Sequence, residues 1–339
     1  MSKLLYYSDT HIRESGSYIP YQQLDKNGLT KELNNILRGF DFLHDLILQI
    51  KPERVGLLGD FYNNTEFQTA RVLYASSLAL SKVKSACDQV GAEHDIISGN
   101  HDMLSDNHNI TNIANLVGYG NVYLEPTYVK LKNGKTVAYI PAISNTGLAF
   151  SQLNQAQNTA DLAVMHQDFQ GCKYESGTPS NSPLPAKWNI PIISGDIHLP
   201  QDIGSVHYIG ALIQNKFYKT TLSQIGGALV YDTDNKTVTR YRNNYSKHYI
   251  KFVDGLDTEL PPPNEVVLQV VSSASKEEIA ERFKDYEYYH VPSIKPKSDS
   301  VKVNYSQFNL SDTESILRSH VNKERPEAID VFNKVIKSG

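Results

Sequence analysis

Hydrophobic and polar positions fall along the chain in blocks of two kinds. Short apolar runs that stop abruptly at small or polar residues occur at Lys3–Ser8, Arg54–Leu58, Asp95–Ser98, Thr136–Pro141, Leu162–Met165, Pro191–Ser194 and Ser205–Ile209. Such runs predict strands buried on both faces of a parallel or mixed sheet. Between the first of them, Lys31–Ile50 places Leu33, Ile36, Leu37, Phe40, Leu43, Ile47 and Ile50 along one helix face. Phe67–Val90 is rich in Ala and Leu and free of Pro and Gly, which predicts a second helix. Strand–helix alternation at this spacing predicts an α/β protein with helices on the faces of its sheet.

Beyond residue 205 the pattern shifts to short strand-like segments such as Ala228–Asp232 and Val238–Arg242. Pro261-Pro262-Pro263 is a stiff extended break. After it, Val266–Val271 predicts a strand, Lys276–Phe283 a short helix opened by Ser275, and Asp312–Ile336 a final helix. The expected organisation is a large domain over 1–262 followed by a small α+β module over 263–339.

Composition narrows the class only slightly. The 339 residues, 40% apolar and 21% charged, suit a globular protein with a sizeable core. No run reaches the roughly 18 apolar residues of a membrane span, and Met1 leads directly into Leu4-Leu5-Tyr6-Tyr7 without a signal-peptide pattern. The two cysteines, Cys87 and Cys172, stand in no metal-ligand spacing and are expected to be reduced thiols of a cytoplasmic protein. The net charge of −4 argues against a general polyanion binder. A nucleic-acid substrate would need a local basic patch, bound cations or a partner to supply positive field.

Five short motifs carry the candidate chemistry, and each follows a predicted strand. They are Asp9-Thr10-His11, Gly59-Asp60, Gly99-Asn100-His101-Asp102, His166, and Gly195-Asp196-Ile197-His198. Ligands of open α/β folds collect outside the carboxyl ends of strands, where all five lie. Carboxylates, imidazoles and an amide oxygen suit Mn²⁺, Fe, Zn²⁺ or similar ions and exclude soft thiolate chemistry. Two ions about 3.5–4 Å apart can clamp a phosphate. Asp60 is the natural shared carboxylate, because Gly59 lets the backbone turn close to the metals. Taken singly, each motif also suits an ordinary turn or core residue; the ordered set is the specific signal.

This ordered set resembles the calcineurin-like metallophosphoesterase superfamily, whose pattern runs Asp-x-His, Gly-Asp, Gly-Asn-His-Asp or -Glu, a lone His, and Gly-His-x-His. The resemblance covers about the first 215 residues. It implies a sandwich of mixed β-sheets flanked by helices, with a small C-terminal α+β cap module. It implies a first metal held by Asp9, His11, Asp60 and His198, and a second by Asp60, Asn100, His166 and Asp196. His101 would be the general acid for the leaving oxygen, oriented by Asp102. The chain departs from the pattern at Asp196, which stands where the family has histidine and favours harder ions such as Mn²⁺ or Mg²⁺.

Within the superfamily, Gly59-Asp60-Phe61 and the helix-rich stretch after it resemble the SbcD-type nucleases, as do Tyr208-Ile209-Gly210-Ala211 and Phe217; phage members are of this size. That likeness implies a Mn²⁺-dependent exonuclease and single-strand endonuclease of DNA repair and recombination. It also implies a homodimer formed through N-terminal helices and a separate SMC-like coiled-coil ATPase. The chain has no Walker A motif of its own, and Asn133-Gly134-Lys135-Thr136 predicts a hairpin turn. Two alternatives stay open: a phosphodiesterase of small or cyclic nucleotides, and a binding subunit whose metal site has decayed.

Overall fold

The computed structural model describes residues 2–14, 24–104, 111–214, 216–217, 224–253, 260 and 262–292. The chain divides into two units, Met1–Ser293 and Ile294–Gly339, and everything below concerns the first. The predicted helix over Asp312–Ile336 lies outside the described residues.

In chain order the first elements are β1 (Lys3–Tyr7), α1 (Lys31–Ile50), β2 (Arg54–Leu58), α2 (Ala70–Val90), β3 (Glu93–Ile97) and β4 (Asn121–Tyr123). There follow β5 (Thr127–Lys130), β6 (Thr136–Ile140), α3 (Thr146–Thr159), β7 (Leu162–His166), β8 (Ile192–Gly195), β9 (Gln201–Ile203) and β10 (Val206–Tyr208). The last are β11 (Gly227–Asp232), β12 (Thr237–Arg242), β13 (His248–Val253), β14 (Val266–Ser272), α4 (Lys276–Arg282) and β15 (Glu287–Pro292).

These strands form two six-stranded mixed sheets, ordered β12-β11-β1-β2-β3-β4 and β5-β6-β7-β8-β10-β9. In each sheet the central strands run parallel, while β11, β12, β5 and β9 run antiparallel to their neighbours. Alternation along β1 explains the layering. Leu4 and Tyr6 join Leu58, Tyr139, Val164 and Ile193 in a core between the sheets. Leu5 and Tyr7 point the other way, into the core shared with α1 and α2, while α3 covers the far face of the second sheet. The fold is thus α/β: a sandwich of two mixed sheets flanked by helices, as the sequence predicts.

Local signals set the helix limits. Thr30 caps α1 by accepting from the Leu33 amide, and Thr69 caps α2 by accepting from the Val72 amide. That cap moves the start of α2 from the expected Phe67 to Ala70. The left-handed Gly91 (φ 71°) ends α2. Residues 131–135 close the β5–β6 hairpin through Leu131 N–H to Lys135 O, with Gly134 left-handed. α3 escapes the hydrophobic-periodicity argument because only Ala149, Leu153 and Ala156 are buried along it.

A third, all-parallel sheet, β13-β14-β15, packs α4 through Phe252, Leu268, Val270, Ile279 and Phe283. β13 precedes residue 262 and β14 and β15 follow it, so one sheet draws on both sequence segments. This sheet meets α1 through polar contacts, including Lys31 Nζ to Glu287 and Asn35 to Lys247. Among the described residues no helix is long and apolar enough to cross a membrane.

Candidate metal centre

The carboxyl ends of β1, β2 and β3 in the first sheet and of β7 and β8 in the second open onto one place. Backbone bonds from Asp9 N–H to Gly59 O, His11 N–H to Asp60 O and Ile12 N–H to Phe61 O knit the first two loops together at 2.9–3.1 Å. Four of the six described non-glycine residues with positive φ are Asp9 (54°), His11 (42°), Asp60 (53°) and Asp196 (75°). Each left-handed residue costs about 1–3 kcal/mol, and such strain collects where function demands it.

The motif glycines are required by crowding. A Cβ on Gly59 would lie 2.4 Å from His166 Nδ1, and one on Gly99 would lie 2.2 Å from Asp60 Oδ1. On Gly195 it would lie 2.4 Å from Leu58 O.

Asp9, His11, Asp60, Asn100, His101, His166, Asp196 and His198 all converge here. Ligating atoms fall within 4.8 Å of one another in three sets: Asp9, His11 and His198; His11, Asp60 and His101; and Asp9, Asp60 and His166. Asp60 sits between the groups, with Oδ2 at 3.5 Å from His11 Nε2 and Oδ1 at 3.4 Å from His166 Nε2. Asn100 Oδ1 lies 3.0 Å and Asp196 Oδ1 3.8 Å from the same His166 nitrogen. His166 Nδ1 donates to the Leu58 carbonyl at 2.8 Å, which turns Nε2 toward the three oxygens. His11 Nε2 and His198 Nε2 face each other at 3.0 Å, and His11 Nδ1 is buried without a partner.

This is a nest of acceptors short of positive charge, and electrostatics shows the deficit. Burial, with Asp60 nearby, pushes the Asp9 carboxyl up, and burial with Asp9 and Asp60 pushes Asp196 up to about 7. Burial alone would lower His166, but the Asp60 carboxylate outweighs it and holds the ring well above its ordinary value. The surrounding imidazoles, His166 foremost, outweigh the burial of Asp60 and hold it low. Hard oxygen donors, borderline nitrogens and surplus negative charge fit divalent cations of the Mn²⁺, Mg²⁺, Fe or Zn²⁺ kind.

Two roles differ from expectation or were not foreseen. Asp102 does not orient His101: its carboxylate accepts from the amides of Gly99 (2.9 Å), Phe61 (3.1 Å) and Tyr62 (3.3 Å). It therefore braces the turn after β3 against the turn after β2; burial and Asp60 push it up to about 7. The His101 ring is held by the Asn63 carbonyl, which accepts from Nδ1 at 3.1 Å. The unforeseen residue is Glu175, whose carboxylate pairs with His198 Nδ1. It comes from the polar loop between β7 and β8, where no motif or periodicity marks it.

A cavity of about 380 Å³ opens beside His166 and Asp196, with Met103, Leu104, Ala142 and Ile143 forming an apolar wall.

No family model and no curated protein matches this sequence. Among solved structures, the chain is similar to a dimetal phosphatase from Danio rerio, with 10% identity and a TM-score of 0.36 over 68% of this chain and 91% of that one. It is also similar to the nuclease MPE of Pseudomonas putida, with 17% identity and a TM-score of 0.31 over 70% of this chain and 87% of that one.

Proposed function

We propose that this chain is a metal-dependent phosphodiesterase with two divalent cations, acting as a DNA nuclease subunit. The observation that carries the proposal is the Asp60 carboxylate, set between two groups of inward-facing imidazole and carboxylate donors. Asp9, His11, Asp60 and His198 would hold one cation, and Asp60, Asn100, His166 and Asp196 the other. When bound, such a pair supplies polarisation of the phosphate and an activated water. His101 carries the remaining task. Its Nδ1–H donates to the Asn63 carbonyl, so the doubly protonated ring would pass its Nε2 proton to the departing ester oxygen as the phosphorus–oxygen bond breaks, leaving the neutral ring with its hydrogen on Nδ1.

The nuclease assignment rests on the motif resemblance. The acidic net charge counts against unaided DNA binding, so the cations and the partner must supply the positive field for DNA. The same assignment includes Mn²⁺ as the working ion, a separate SMC-like ATPase, a role in DNA repair and recombination in the cytoplasm, and a homodimer. Phe67, Leu73 and Tyr74, which are 75%, 45% and 51% exposed around the start of α2, suit the homodimer.

The test measures hydrolysis of single- and double-stranded DNA and of cyclic nucleotides by wild type and His101→Ala, with and without Mn²⁺. The expected result is Mn²⁺-dependent DNA cleavage, reduced about 10²–10⁴-fold in His101→Ala, with bound metal retained. Preference for cyclic nucleotides would replace the substrate class. Loss of metal in His101→Ala would move His101 into the ligand set that its distance to His11 and Asp60 permits.

A further inference from the structure

A line of polar side chains runs from the third sheet to the centre, and the motifs do not account for it. Tyr249 on β13 donates its hydroxyl to Glu32 Oε2. Glu32, on the first turn of α1, is 1% exposed, an expensive place for a carboxylate unless it is paired. Its other oxygen lies 3.5 Å from Arg13 Nη2. Arg13 stands in the loop after β1, two residues past His11, and its Nη1 donates to Asn63 Oδ1 at 3.3 Å. Asn63 in turn accepts from His101 Nδ1 through its backbone carbonyl. Burial pushes the Glu32 carboxyl up against the pull of Arg13. The guanidinium fork suits this place, since its two arms reach two acceptors at fixed geometry.

We propose that Arg13 and Glu32 are positioning residues for His101, and that through them the docking of the β13–β15 sheet on α1 sets the aim of the proton donor. This rests on the role given to His101 above. Arg13 fixes the Asn63 side chain, and the Asn63 backbone carbonyl fixes the tilt of the His101 ring through its Nδ1–H. Glu32 holds the guanidinium in place, and Tyr249 donates to the other Glu32 carboxylate oxygen. Loss of any link should leave the cations and the phosphate in place but misdirect the proton.

The consequence is selective, because a proton matters most for a poor leaving group. An alkoxide leaving from a dinucleotide needs it; a p-nitrophenolate leaving from bis-p-nitrophenyl phosphate hardly does. Arg13→Ala should lower kcat on the dinucleotide by about 10–100-fold, part of the full general-acid contribution. Its kcat on the aryl ester should fall less than about threefold, with KM and metal content unchanged. Arg13→Lys keeps the charge against Glu32 but lacks the second arm, and should show the same selectivity. Tyr249→Phe removes only a hydroxyl, so its fold is the safest; it should show a smaller loss in the same direction. Spectra of ¹⁵N-labelled histidine in the metal-free protein should show the His101 tautomer disturbed in Arg13→Ala and not in wild type. Equal loss on both esters, a rise in KM alone, or loss of metal would show a structural or substrate-binding role and overturn the proposal. A wild type inactive on both esters with every divalent ion tried would instead overturn the reading of the centre itself, and the proposal with it.

Discussion

Two buried polar clusters lie in the sandwich, and they are built on opposite principles. In one, Arg54 on β2 meets Asp95 on β3 in a two-armed pair at 2.6 Å on each arm. The hydroxyls of Tyr139 (2.6 Å) and Tyr123 (3.1 Å) and the Asn121 amide (3.2 Å) also donate to Asp95. Each acceptor there faces a donor, and the positive charge is part of the chain. In the other, at the strand ends, the ion pairs that Asp9, Asp60 and Asp196 make among the described residues are with imidazoles, and Asn100 Oδ1 faces His166. The first cluster is closed and serves the fold. The second is complete only with charge brought from outside, which is what a metal centre requires.

Substitutions can break this contrast. The largest effect is expected from Asp60→Asn, which removes the shared ligand: loss of most bound metal, and a fall in hydrolysis of about 10³-fold or more, since such cations stabilise the transition state by several kcal/mol. Metal analysis by mass spectrometry alongside the DNA assay checks it; a variant with full two-ion loading would mean the ligands are wrongly assigned. Next, Asp95→Ala should strand the Arg54 charge and destabilise the protein by about 3–5 kcal/mol, leaving metal stoichiometry unchanged in the folded fraction. Urea unfolding measures this, and a loss under about half a kilocalorie per mole would show that Arg54 does not depend on Asp95. The smallest effect belongs to Glu175→Gln. Partners that orient a ligand histidine typically contribute about 10–100-fold in metal affinity, so calorimetric titration of Mn²⁺ should show one site weakened and the other unchanged. Equal affinities in variant and wild type would make the contact with His198 incidental.

Sequence alone specified the strands β1, β2, β3, β6, β7 and β8, because burial on both faces leaves an uninterrupted apolar run that polar neighbours end sharply. It also specified the candidate residues of the centre, since carboxylates and imidazoles follow directly on such runs; that two sheets bring their strand ends together is tertiary. Tertiary structure alone decided which distant side chains meet. Glu175 finds His198 across a separation of 23 residues that includes β8, and Tyr249 finds Glu32 across a separation of 217 residues; no periodicity encodes such meetings. Asp102 has the composition of an orienting carboxylate, but the fold presents it with three backbone amides that claim both its oxygens. Side-chain chemistry restricts what a residue can do, and the donors that packing brings within 3 Å or so decide which of those things it does.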